Sequence, residues 1–282
     1  MRRDNSALVL LRGGGDLATG VALRLHRAGI KVIITELAQP LAVRRTVSFA
    51  EADYEGQHVV EEVTARLVKK EQPRPEFYRT VSDALEVKEI PVLIDPNADV
   101  LSSMNFPVVI DGRLTKQTPP PLPVPVPLHI GLGPGFHAGS NCHAVIETRR
   151  SHTLGRVYWN GSTQADSRQP EGDPRRVLRA SMHGILMAHK QIGEHCETGD
   201  LIAEIQSEVE TQQSEIRSPF AGVLRGLIRA GIHVTKELKI GDVDPRDDAS
   251  ACFLVSDKAL AIGGAVLEAL LTKPEIRDQL WK

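Results

Sequence analysis

Hydrophobic runs and helical patterns alternate through the first half of the chain, beginning close to its N-terminus. Residues 7–12 (ALVLLR) form an apolar run that leads into glycines, which is typical of a strand buried in a parallel sheet. Apolar residues then recur at helical spacing, at Leu17, Val21, Leu25 and Ala28. Residues 31–35 (KVIIT) form the next apolar run, so that strand, glycine loop, helix and strand predict a βαβ unit.

The same alternation continues downstream and predicts further strands of one sheet. We expect a strand at 59–68, a helix at 76–85, and strands at 90–95 and 107–111. The two late strands end in Asp95 and Asp111, and open parallel sheets bind ligands at the carboxyl ends of their strands. The alternative that each aspartate simply begins a turn stays open.

A proline-rich segment separates these strands from the last one of the first half. Six of the nine residues from 119 to 127 are prolines, so the segment is extended and cannot donate hydrogen bonds to a central ladder. We interpret it as a stiff connector, with recognition by a partner's aromatic groove as the alternative. Residues 129–132 then predict the last strand.

The second half contains an internal repeat that needs no gaps. Residues 177–205 align with residues 215–243 at an offset of 38 positions, and glycines, a histidine and apolar residues coincide. Each copy has strand-like runs separated by glycine turns. Two copies therefore predict a small β-sandwich with pseudo-twofold symmetry.

The segments GDLIAEI and RSPFAGVL within this repeat resemble the barrel-sandwich hybrid of biotinyl and lipoyl carrier domains. Those carriers hold their swinging arm on a lysine at the hairpin tip between the two copies. No lysine occurs from 201 to 235 in this chain, so the sequence excludes biotin and lipoate as cofactors. A scaffold of this kind without its arm more often has a structural or docking role.

A C-terminal helix completes the predicted architecture. Ser256 and Asp257 cap this helix, which we expect to end near Leu271 and to pack on the sheet domain. The predicted fold class is α/β, with a Rossmann-like parallel sheet domain, a β-rich barrel-sandwich-hybrid (biotinyl/lipoyl-like) domain and this helix. The predicted domains are 1–150 for the ligand-binding sheet, 151–255 for the β-rich part and 256–282 for the helix.

Composition limits the classes of partner and the cellular compartment that we expect. Hydrophobic residues make up 41% of the 282 residues and charged residues 25%, as in an average soluble globular protein. A net charge of −2 and only 4% aromatic residues argue against nucleic acid and an anionic membrane as partners. Three cysteines, odd in number and far apart, fit a reducing compartment, and we expect a cytoplasmic protein.

The candidate binding site is the loop Gly13-Gly14-Gly15 that follows the first strand. Gly13, Gly15 and Ala18 match the pattern G-x-G-x-x-G/A. In this pattern the glycines let the backbone approach a phosphate, and the small third residue lets the helix pack on the strand. Glu36 lies 21 positions after Gly15, near the place where an acid binds the ribose of a dinucleotide.

Asp16 complicates this pattern, because it follows the glycines directly. As the first residue of the turn into the helix it is a good N-cap, and its carboxylate would repel a pyrophosphate at the same amides. Arg12 offsets part of that repulsion. We predict that the loop, Leu17 included, binds a nucleotide or another phosphate-bearing ligand, with ordinary NAD binding less favoured. A purely structural turn is the alternative.

A second candidate group lies in the loop after the last predicted strand, where Cys142 precedes His143 and follows His137 closely. A neighbouring imidazolium lowers the pKa of a thiol, so Cys142 is a candidate reactive thiol; no other catalytic residue is assigned. A metal site needs three or four such ligands in fixed geometry, and no further Cys/His pair is nearby in sequence. We therefore predict no metal and keep plain loop residues as the alternative.

Four motifs together resemble one family: LRGGGDLATGVALRL, ITELAQPLAVRRTVSF, GLGPGFHAGSNCHAVIETRRSHTLGRV and VLRGLIRAGIHVTKELKIGDVDPR. They are similar to the YqeB-type accessory family of selenium-dependent molybdenum hydroxylases, which is itself similar to the xanthine dehydrogenase accessory proteins. Those proteins have a Rossmann-type domain and help to insert or sulfurate the molybdenum cofactor. The resemblance implies a maturation role, a molybdenum hydroxylase subunit as partner and the molybdenum cofactor as a transient ligand.

The same resemblance gives further residues a role. Arg44 and Arg45 would supply the contacts to an anionic ligand that Asp16 weakens, with a solvated loop pair as their alternative role. Cys142 would be the thiol for sulfur or selenium transfer.

Two functions follow from the sequence. The first is an accessory factor that binds the molybdenum cofactor, or a related phosphate-bearing ligand, and assists its insertion or its loading with sulfur or selenium. The alternative is an NAD(P)-dependent oxidoreductase that uses the glycine loop and Glu36. The sequence leaves open whether the chain catalyses a reaction and whether it forms a homo-oligomer.

Overall fold

A computed structural model of the chain describes residues 7–69, 73–167, 172–209 and 212–281. Contacts between Cα atoms divide the chain into two compact units. The first unit comprises residues 1–40, 48–166 and 255–282, and the second comprises residues 41–47 and 167–254. The first unit therefore contains both ends of the chain, and a short segment from its middle belongs to the second unit.

Strands and helices alternate in the first unit. Its strands are β1 (Leu8–Arg12), β2 (Lys31–Glu36), β3 (Gln57–Val60), β4 (Val63–Val68), β5 (Ile90–Ile94), β6 (Val108–Asp111), β7 (Leu128–Leu132), β8 (His137–Ala138), β9 (Ala144–Ile146), β10 (Val157–Tyr158) and β11 (Gly161–Ser162). Its helices are α1 (Asp16–Arg27), α2 (Ala52–Glu55), α3 (Arg74–Glu86), α4 (Asp257–Thr272) and α5 (Pro274–Arg277). The predicted helix at 76–85 and the predicted strands at 90–95 and 107–111 are confirmed within two residues.

Nine of these strands form one sheet in the order β10-β9-β7-β6-β1-β2-β5-β4-β3. The seven strands from β9 to β4 are parallel, whereas β10 and β3 pair antiparallel at the two edges. β1 lies between β2 and β6, so the chain order of the strands reverses at this point of the sheet. Open sheets of this kind have a crevice for ligands at such a switch point, beyond the carboxyl ends of the strands.

The predicted strand at 59–68 is wrong as a single element, because two strands occupy this part of the chain. Glu61 adopts a left-handed backbone conformation with φ of 51° and turns the chain between β3 and β4. The two strands then pair antiparallel as a hairpin at the edge of the sheet. The apolar pattern was right for the strands and missed the turn, since glutamate is not a typical turn residue.

The proline-rich segment covers part of the core of the first unit. Its three apolar side chains between the prolines, Leu122, Val124 and Val126, pack against the cluster that contains Leu10 and Phe77. An extended segment that alternates prolines with apolar residues can pack apolar side chains without needing ladder hydrogen bonds. This packing favours the structural connector over a site for a partner's groove.

Helices α1 and α4 of the first unit approach each other through glycines. A Cβ atom on Gly20 would lie 2.6 Å from the Cβ of Ala259, and one on Gly263 would lie 2.6 Å from the backbone oxygen of Gly20. Close helix approach of this kind is possible only where side chains are absent or very small. In the part of the chain that the structure describes, no helix combines the length and apolar character needed to cross a membrane.

The second unit contains eight described strands in two antiparallel sheets. The strands are β12 (Val177–Arg179), β13 (Gly184–Ala188), β14 (His195–Cys196), β15 (Leu201–Gln206), β16 (Gln213–Arg217), β17 (Gly222–Leu227), β18 (His233–Val234) and β19 (Lys239–Asp244). One sheet has the order β12-β19-β17-β14 and the other the order β16-β15-β13-β18. The offset of 38 residues reappears in the strand bounds, and each sheet takes two strands from each copy of the repeat.

The predicted fold class needs a correction in both of its parts. The large sheet is mixed rather than parallel throughout, because the edge strands β3 and β10 run antiparallel to their neighbours. The second part consists of two four-stranded antiparallel sheets, and these do not show the predicted biotinyl/lipoyl-like barrel-sandwich hybrid. Sequence patterns missed the edge pairing because antiparallel and parallel partners of a short apolar strand have similar composition.

The close approach of α1 and α4 yields a test with a control in the same helix. Gly263→Ala should lower the free energy of unfolding by about 2 kcal/mol, since its Cβ meets the backbone of α1. Gly264→Ala should leave stability unchanged or raise it by about 0.5–1 kcal/mol, because a Cβ there meets no atom within 4 Å. Urea unfolding followed by circular dichroism measures both. Equal effects of the two substitutions would contradict this packing.

Candidate functional site

The two loops that flank the switch point lie directly against each other. One loop, residues 13–15, follows β1, and the other, residues 112–115, follows β6. The amide of Gly112 donates a hydrogen bond to the carbonyl of Arg12 at 2.9 Å. A Cβ atom on Gly112 would lie 3.0 Å from the Cβ of Ala18, so the small residue predicted at this position of the helix is needed for packing.

The three loop glycines differ in what a side chain at each position would meet. Gly13 has φ of +91°, a backbone conformation that favours glycine. A Cβ on Gly14 would lie 2.8 Å from the amide nitrogen of Ala50, so the loop packs tightly on that side. A Cβ on Gly15 would meet no atom within 4 Å. The backbone at Gly15 therefore borders open space that a bound ligand can occupy.

The prediction that Asp16 is the N-cap of the first helix is wrong. Helix α1 begins at Asp16, its N-cap is Gly15, and no side chain caps its first turn. Leu17 and Ala18, the next two residues of the predicted site, are buried and contribute packing rather than ligand contacts through their side chains. The backbone amides of this turn can therefore serve a ligand, and Asp16 adds a negative charge beside them.

Glu36, at the end of β2, is held against the glycine loop. Its Oε2 accepts a hydrogen bond from the amide of Gly14 at 2.6 Å, and its Oε1 accepts one from the amide of Leu37 at 2.8 Å. Burial raises the pKa of Glu36, and these two hydrogen bonds oppose that rise. Sequence spacing thus identified an acid that does lie at the loop, with its carboxylate oriented by backbone amides.

Two further carboxylates, Asp53 beside Glu36 and Glu51 beside Asp53, had no signal in the sequence. Both carboxylate oxygens of Asp53, on α2, are buried without a hydrogen-bond partner among the described residues. Burial, together with the charges of Glu36 and Glu51, raises the pKa of Asp53 to about 7. In sequence these residues look like part of a short polar helix, and only the fold brings them to the loop.

A cluster of opposite charges lies on the other side of the loop, at the ends of β1 and β6. The Arg12 side chain is only 4% exposed; its Nη1 lies 3.5 Å from Oδ2 of Asp111 and its Nη2 donates to the carbonyl of Pro96 at 3.1 Å. Burial lowers the pKa of Arg12. Arg113 binds Asp111 through two hydrogen bonds, at 2.8 and 2.6 Å, and its side chain is 28% exposed.

The two aspartates that end the late strands differ in role. Asp111 is fully buried and forms the ion pairs described above. Asp95 is also buried, but its two carboxylate oxygens accept the amides of Asp99 and Val100 at 3.1 and 2.9 Å. Asp95 thereby holds the first two amides of the 3₁₀ turn Asp99–Ser102, as the alternative of a simple turn start predicts.

His129, on β7, is a buried group that lies close to the charges of Asp111 and Arg12. Its Nε2 is buried without a hydrogen-bond partner among the described residues, and its ring packs edge-on against Phe136. Burial lowers the pKa of His129 to about 4, so the imidazole is neutral at physiological pH. In sequence, His129 is marked only as a polar residue within an apolar run.

Arg44 and Arg45 both belong to the second unit. Nη2 of Arg44 donates to the carbonyls of Ala251 and Leu254, each at 3.1 Å, and Nε of Arg45 donates to the carbonyl of Leu227 at 3.0 Å. These guanidinium groups therefore have a structural use within the second unit. Their predicted contact with an anionic ligand stays a prediction.

The environment of Cys142 does not favour a reactive thiol. The residue is 8% exposed, and burial raises the pKa of its thiol to about 11, opposite to the shift that activates a nucleophile. His143 is engaged elsewhere, since its Nδ1 accepts the amide of His129 at 2.8 Å. Across the described ranges, no group of three or more His, Cys, Asp or Glu side chains is arranged to hold a metal ion.

The buried carboxyl of Asp53 predicts a pH-dependent stability. Its pKa rises from 3.8 to about 7 on folding, so the stability that its protonated form contributes is complete below about pH 4 and is lost as the pH rises through 7. Asp53→Asn should therefore raise the free energy of unfolding at pH 8 by roughly 1–2 kcal/mol, a figure reduced for partial solvent screening, and should change it little at pH 4.

Urea unfolding at the two pH values measures this difference. Asp83→Asn, on the exposed surface of α3, is the matched control and should show no such pH-dependent gain. A loss of stability for Asp53→Asn at pH 8 would show that the ionised carboxylate is well solvated or paired.

The glycine loop predicts that neighbouring glycines differ in how well they tolerate substitution by alanine. Gly14→Ala should destabilise the chain by about 1–3 kcal/mol, because its Cβ meets the backbone of Ala50. Gly15→Ala should cost less, about 0.5 kcal/mol, because a Cβ there enters open space and only the poorer N-cap preference of alanine opposes it. Thermal and urea unfolding of both variants check this, and comparable losses at the two positions would refute the loop geometry.

No protein-family model matches the chain. Among solved structures, it is similar to an aspartoacylase family protein from Mesorhizobium loti, at 13% identity over 85% of both chains and a TM-score of 0.28. It is also similar to a succinylglutamate desuccinylase/aspartoacylase from Rhodobacter sphaeroides, at 11% identity over 85% of this chain and 86% of that one, with a TM-score of 0.28. Likenesses this weak place no chemistry on the chain.

Sequence similarity to a curated protein is much stronger. The chain is 42% identical over 271 residues to the uncharacterized protein YqeB of Escherichia coli. The match covers 94% of this chain and 47% of the relative, so the chain spans about half the length of that protein. Identity at this level along nearly the whole chain supports a YqeB-type family for this protein.

Proposed function

We propose that this chain is an accessory factor in the maturation of a molybdenum hydroxylase. Its glycine loop would hold the molybdenum cofactor, or a related phosphate-bearing ligand, and the chain would assist insertion or loading with sulfur or selenium. Two things support the proposal: the motifs shared with the YqeB-type accessory family of molybdenum hydroxylases, and the open backbone at Gly15. The second observation carries the part of the proposal that concerns binding.

The open backbone matters because of what borders it. Gly15 is the N-cap of α1, a helix of 12 residues whose first turn no side chain caps. Backbone amides at such a helix start, together with the helix dipole, bind phosphate groups. The absence of a Cβ at Gly15 lets a phosphate approach these amides, whereas Gly14 is already packed against Ala50 and bonded to Glu36.

The negative charge of Asp16 in the first turn argues for a ligand other than an ordinary redox dinucleotide. A carboxylate at this position weakens the binding of a pyrophosphate on the helix axis. A larger phosphate-bearing ligand, which places other groups against the protein, depends less on this single contact. The molybdenum cofactor is a bulky pterin with a phosphate and fits this description.

A buried Cys142 with a raised pKa gives sulfur or selenium transfer no prepared nucleophile in this conformation. The proposal therefore concerns the binding and delivery of the cofactor rather than the transfer of sulfur or selenium. The partner would be a subunit of the hydroxylase that receives it.

A specific observation also favours the second candidate, an NAD(P)-dependent oxidoreductase. Glu36 lies at the glycine loop with its carboxylate bonded to the Gly14 amide, which is the position of the ribose-binding acid in dinucleotide folds. Calorimetric titration with NAD and NADP at millimolar concentration separates the candidates. Binding of either cofactor with reduction of a substrate supports the oxidoreductase. A titration without any heat of binding excludes it.

The accessory function is tested by anaerobic titration of the purified chain with molybdenum cofactor, followed by activation of the hydroxylase in vitro. Gly15→Val should reduce cofactor retention at least about tenfold, because its side chain fills the open space at the helix start. Gly264→Ala, at an open glycine of α4, is the control and should retain the cofactor fully. Circular dichroism verifies that both variants are folded.

The proposal fails if the unchanged chain binds no cofactor in the tens of micromolar, with or without the hydroxylase. It also fails if Gly15→Val retains the cofactor and activates the hydroxylase as well as the unchanged chain does.

A further inference from the structure

The edge strand β10 ends the nine-stranded sheet, and no further described strand pairs with its outer side. The hydrogen bonds of the neighbouring strand β9 show which groups this edge presents. The carbonyl of Ile146 accepts the amide of Gly133 at 3.3 Å, so Ile146 bonds toward β7. The next residue, Glu147, donates its amide to the carbonyl of Arg156 at 3.0 Å and so bonds toward β10. Successive residues of β9 thus alternate between the two neighbouring strands, as in a regular ladder.

Val157 is the residue whose backbone groups this alternation leaves at the edge. It pairs with Ile146, whose own groups are directed to β7. In an antiparallel ladder such a pair exchanges no hydrogen bonds, and its backbone groups point to the far side of each strand. The amide and the carbonyl of Val157 are therefore directed away from the sheet. They offer one donor and one acceptor to a further strand.

A groove of about 470 Å³ borders this edge. Arg156 and Val157 line it on the strand side, and Glu268 lines it from α4. The side chains of Arg156 and Glu268 are exposed and of opposite charge, and neither forms an ion pair or hydrogen bond with another described residue. A groove with one cation and one anion on its walls is complementary to itself when two copies meet about a twofold axis.

The other edge strand of the sheet, β3, differs in this respect. Nδ1 of His58, on β3, lies 3.1 Å from Oε2 of Glu55. Glu61 and Glu62, which follow β3, both bind Arg27. The charged groups around β3 are thus already used within the chain, whereas those around β10 are available to a second molecule.

We propose that two copies of this chain form a symmetric dimer by pairing their β10 strands antiparallel about a twofold axis at Val157. The two Val157 residues exchange N–H···O=C bonds in both directions, so that the two sheets continue into one. Arg156 of each copy then faces Glu268 of the partner subunit across the groove. Because β10 has only two residues, the backbone bonds alone stabilise the pair weakly, and the two charge pairs add stability and fix the register. This surface lies apart from the glycine loop in the strand order, and the inference does not rest on the proposed function.

Sedimentation velocity of the full chain over a series of concentrations measures the dimer. Glu268→Arg should weaken dimerisation at least about tenfold, because it places a second cation opposite Arg156 of the partner subunit. Arg156→Glu should do the same with two anions. The double variant with both exchanges restores opposite charges and should dimerise within about threefold of the unchanged chain. Glu86→Arg, the same charge reversal at an exposed position of α3, is the matched control and should leave dimerisation unchanged.

A crosslink tests the register of the two strands. Opposed residues that exchange backbone hydrogen bonds have Cα atoms about 5.5 Å apart, a separation that a disulfide bridges. Val157→Cys should therefore form a covalent dimer under mild oxidation, detected on a non-reducing gel. The three native cysteines are buried and should not contribute. Val59→Cys, at an exposed position of the other edge strand, is the control and should yield far less crosslinked dimer.

Circular dichroism verifies that each variant is folded. The inference is overturned if the unchanged chain stays monomeric at hundreds of micromolar, or if a dimer forms that the charge reversals weaken no more than Glu86→Arg does. It is also overturned if the double exchange fails to restore the dimer, or if Val157→Cys crosslinks no better than Val59→Cys. Loss of the dimer in both single reversals, with recovery in the double variant, supports it. The cofactor titration measures the glycine loop, so failure of either proposal leaves the other standing.

Discussion

The backbone of Gly14 is the point on which the candidate site depends. Its amide donates to Glu36, and its carbonyl accepts both the amide of Ala50 at 2.9 Å and the hydroxyl of Thr19 at 3.1 Å. One residue therefore joins the end of β2, the segment after it and the first helix. Because all of its hydrogen-bonding groups are used within the fold, the neighbouring Gly15 can stay open to a ligand without loss of loop order.

Around this residue the fold places two different groups of charged side chains. Carboxylates gather on the β2 side, where Asp53 and Glu36 lie close enough for the charge of Glu36 to raise the pKa of Asp53. Arginines lie on the β6 side, where Arg12 and Arg113 share Asp111. Burying such groups costs free energy unless they are paired and hydrogen-bonded.

The second unit shows how a repeat in sequence becomes a repeat in structure. The strands of the two copies exchange partners, so that neither copy forms a sheet alone, and both contribute to one apolar cluster that includes Leu186 and Leu224. Asp242 and Asp244 at the end of the second copy bind arginines and are nearly buried, which explains the dense polar sequence there as structural charge pairing. The segment 41–47 also belongs to this unit, and hydrogen bonds from Arg44 and Arg45 attach it there.

What the sequence determined by itself was local. Apolar periodicity identified α3 and the strands β1, β2, β5 and β6, the spacing from the glycines identified Glu36, and self-alignment found the offset of 38 residues, because each of these signals lies within a few dozen residues. Only the tertiary structure decided which charges meet: Arg12 contacts Asp111 across 99 positions of sequence, and Arg113 reaches Gly13 only because β1 pairs with β6. It also decided that the edge strands run antiparallel and that Cys142 is buried. Strand pairing and burial arise from contacts between distant segments, and hydrophobic patterning along the chain does not contain that information.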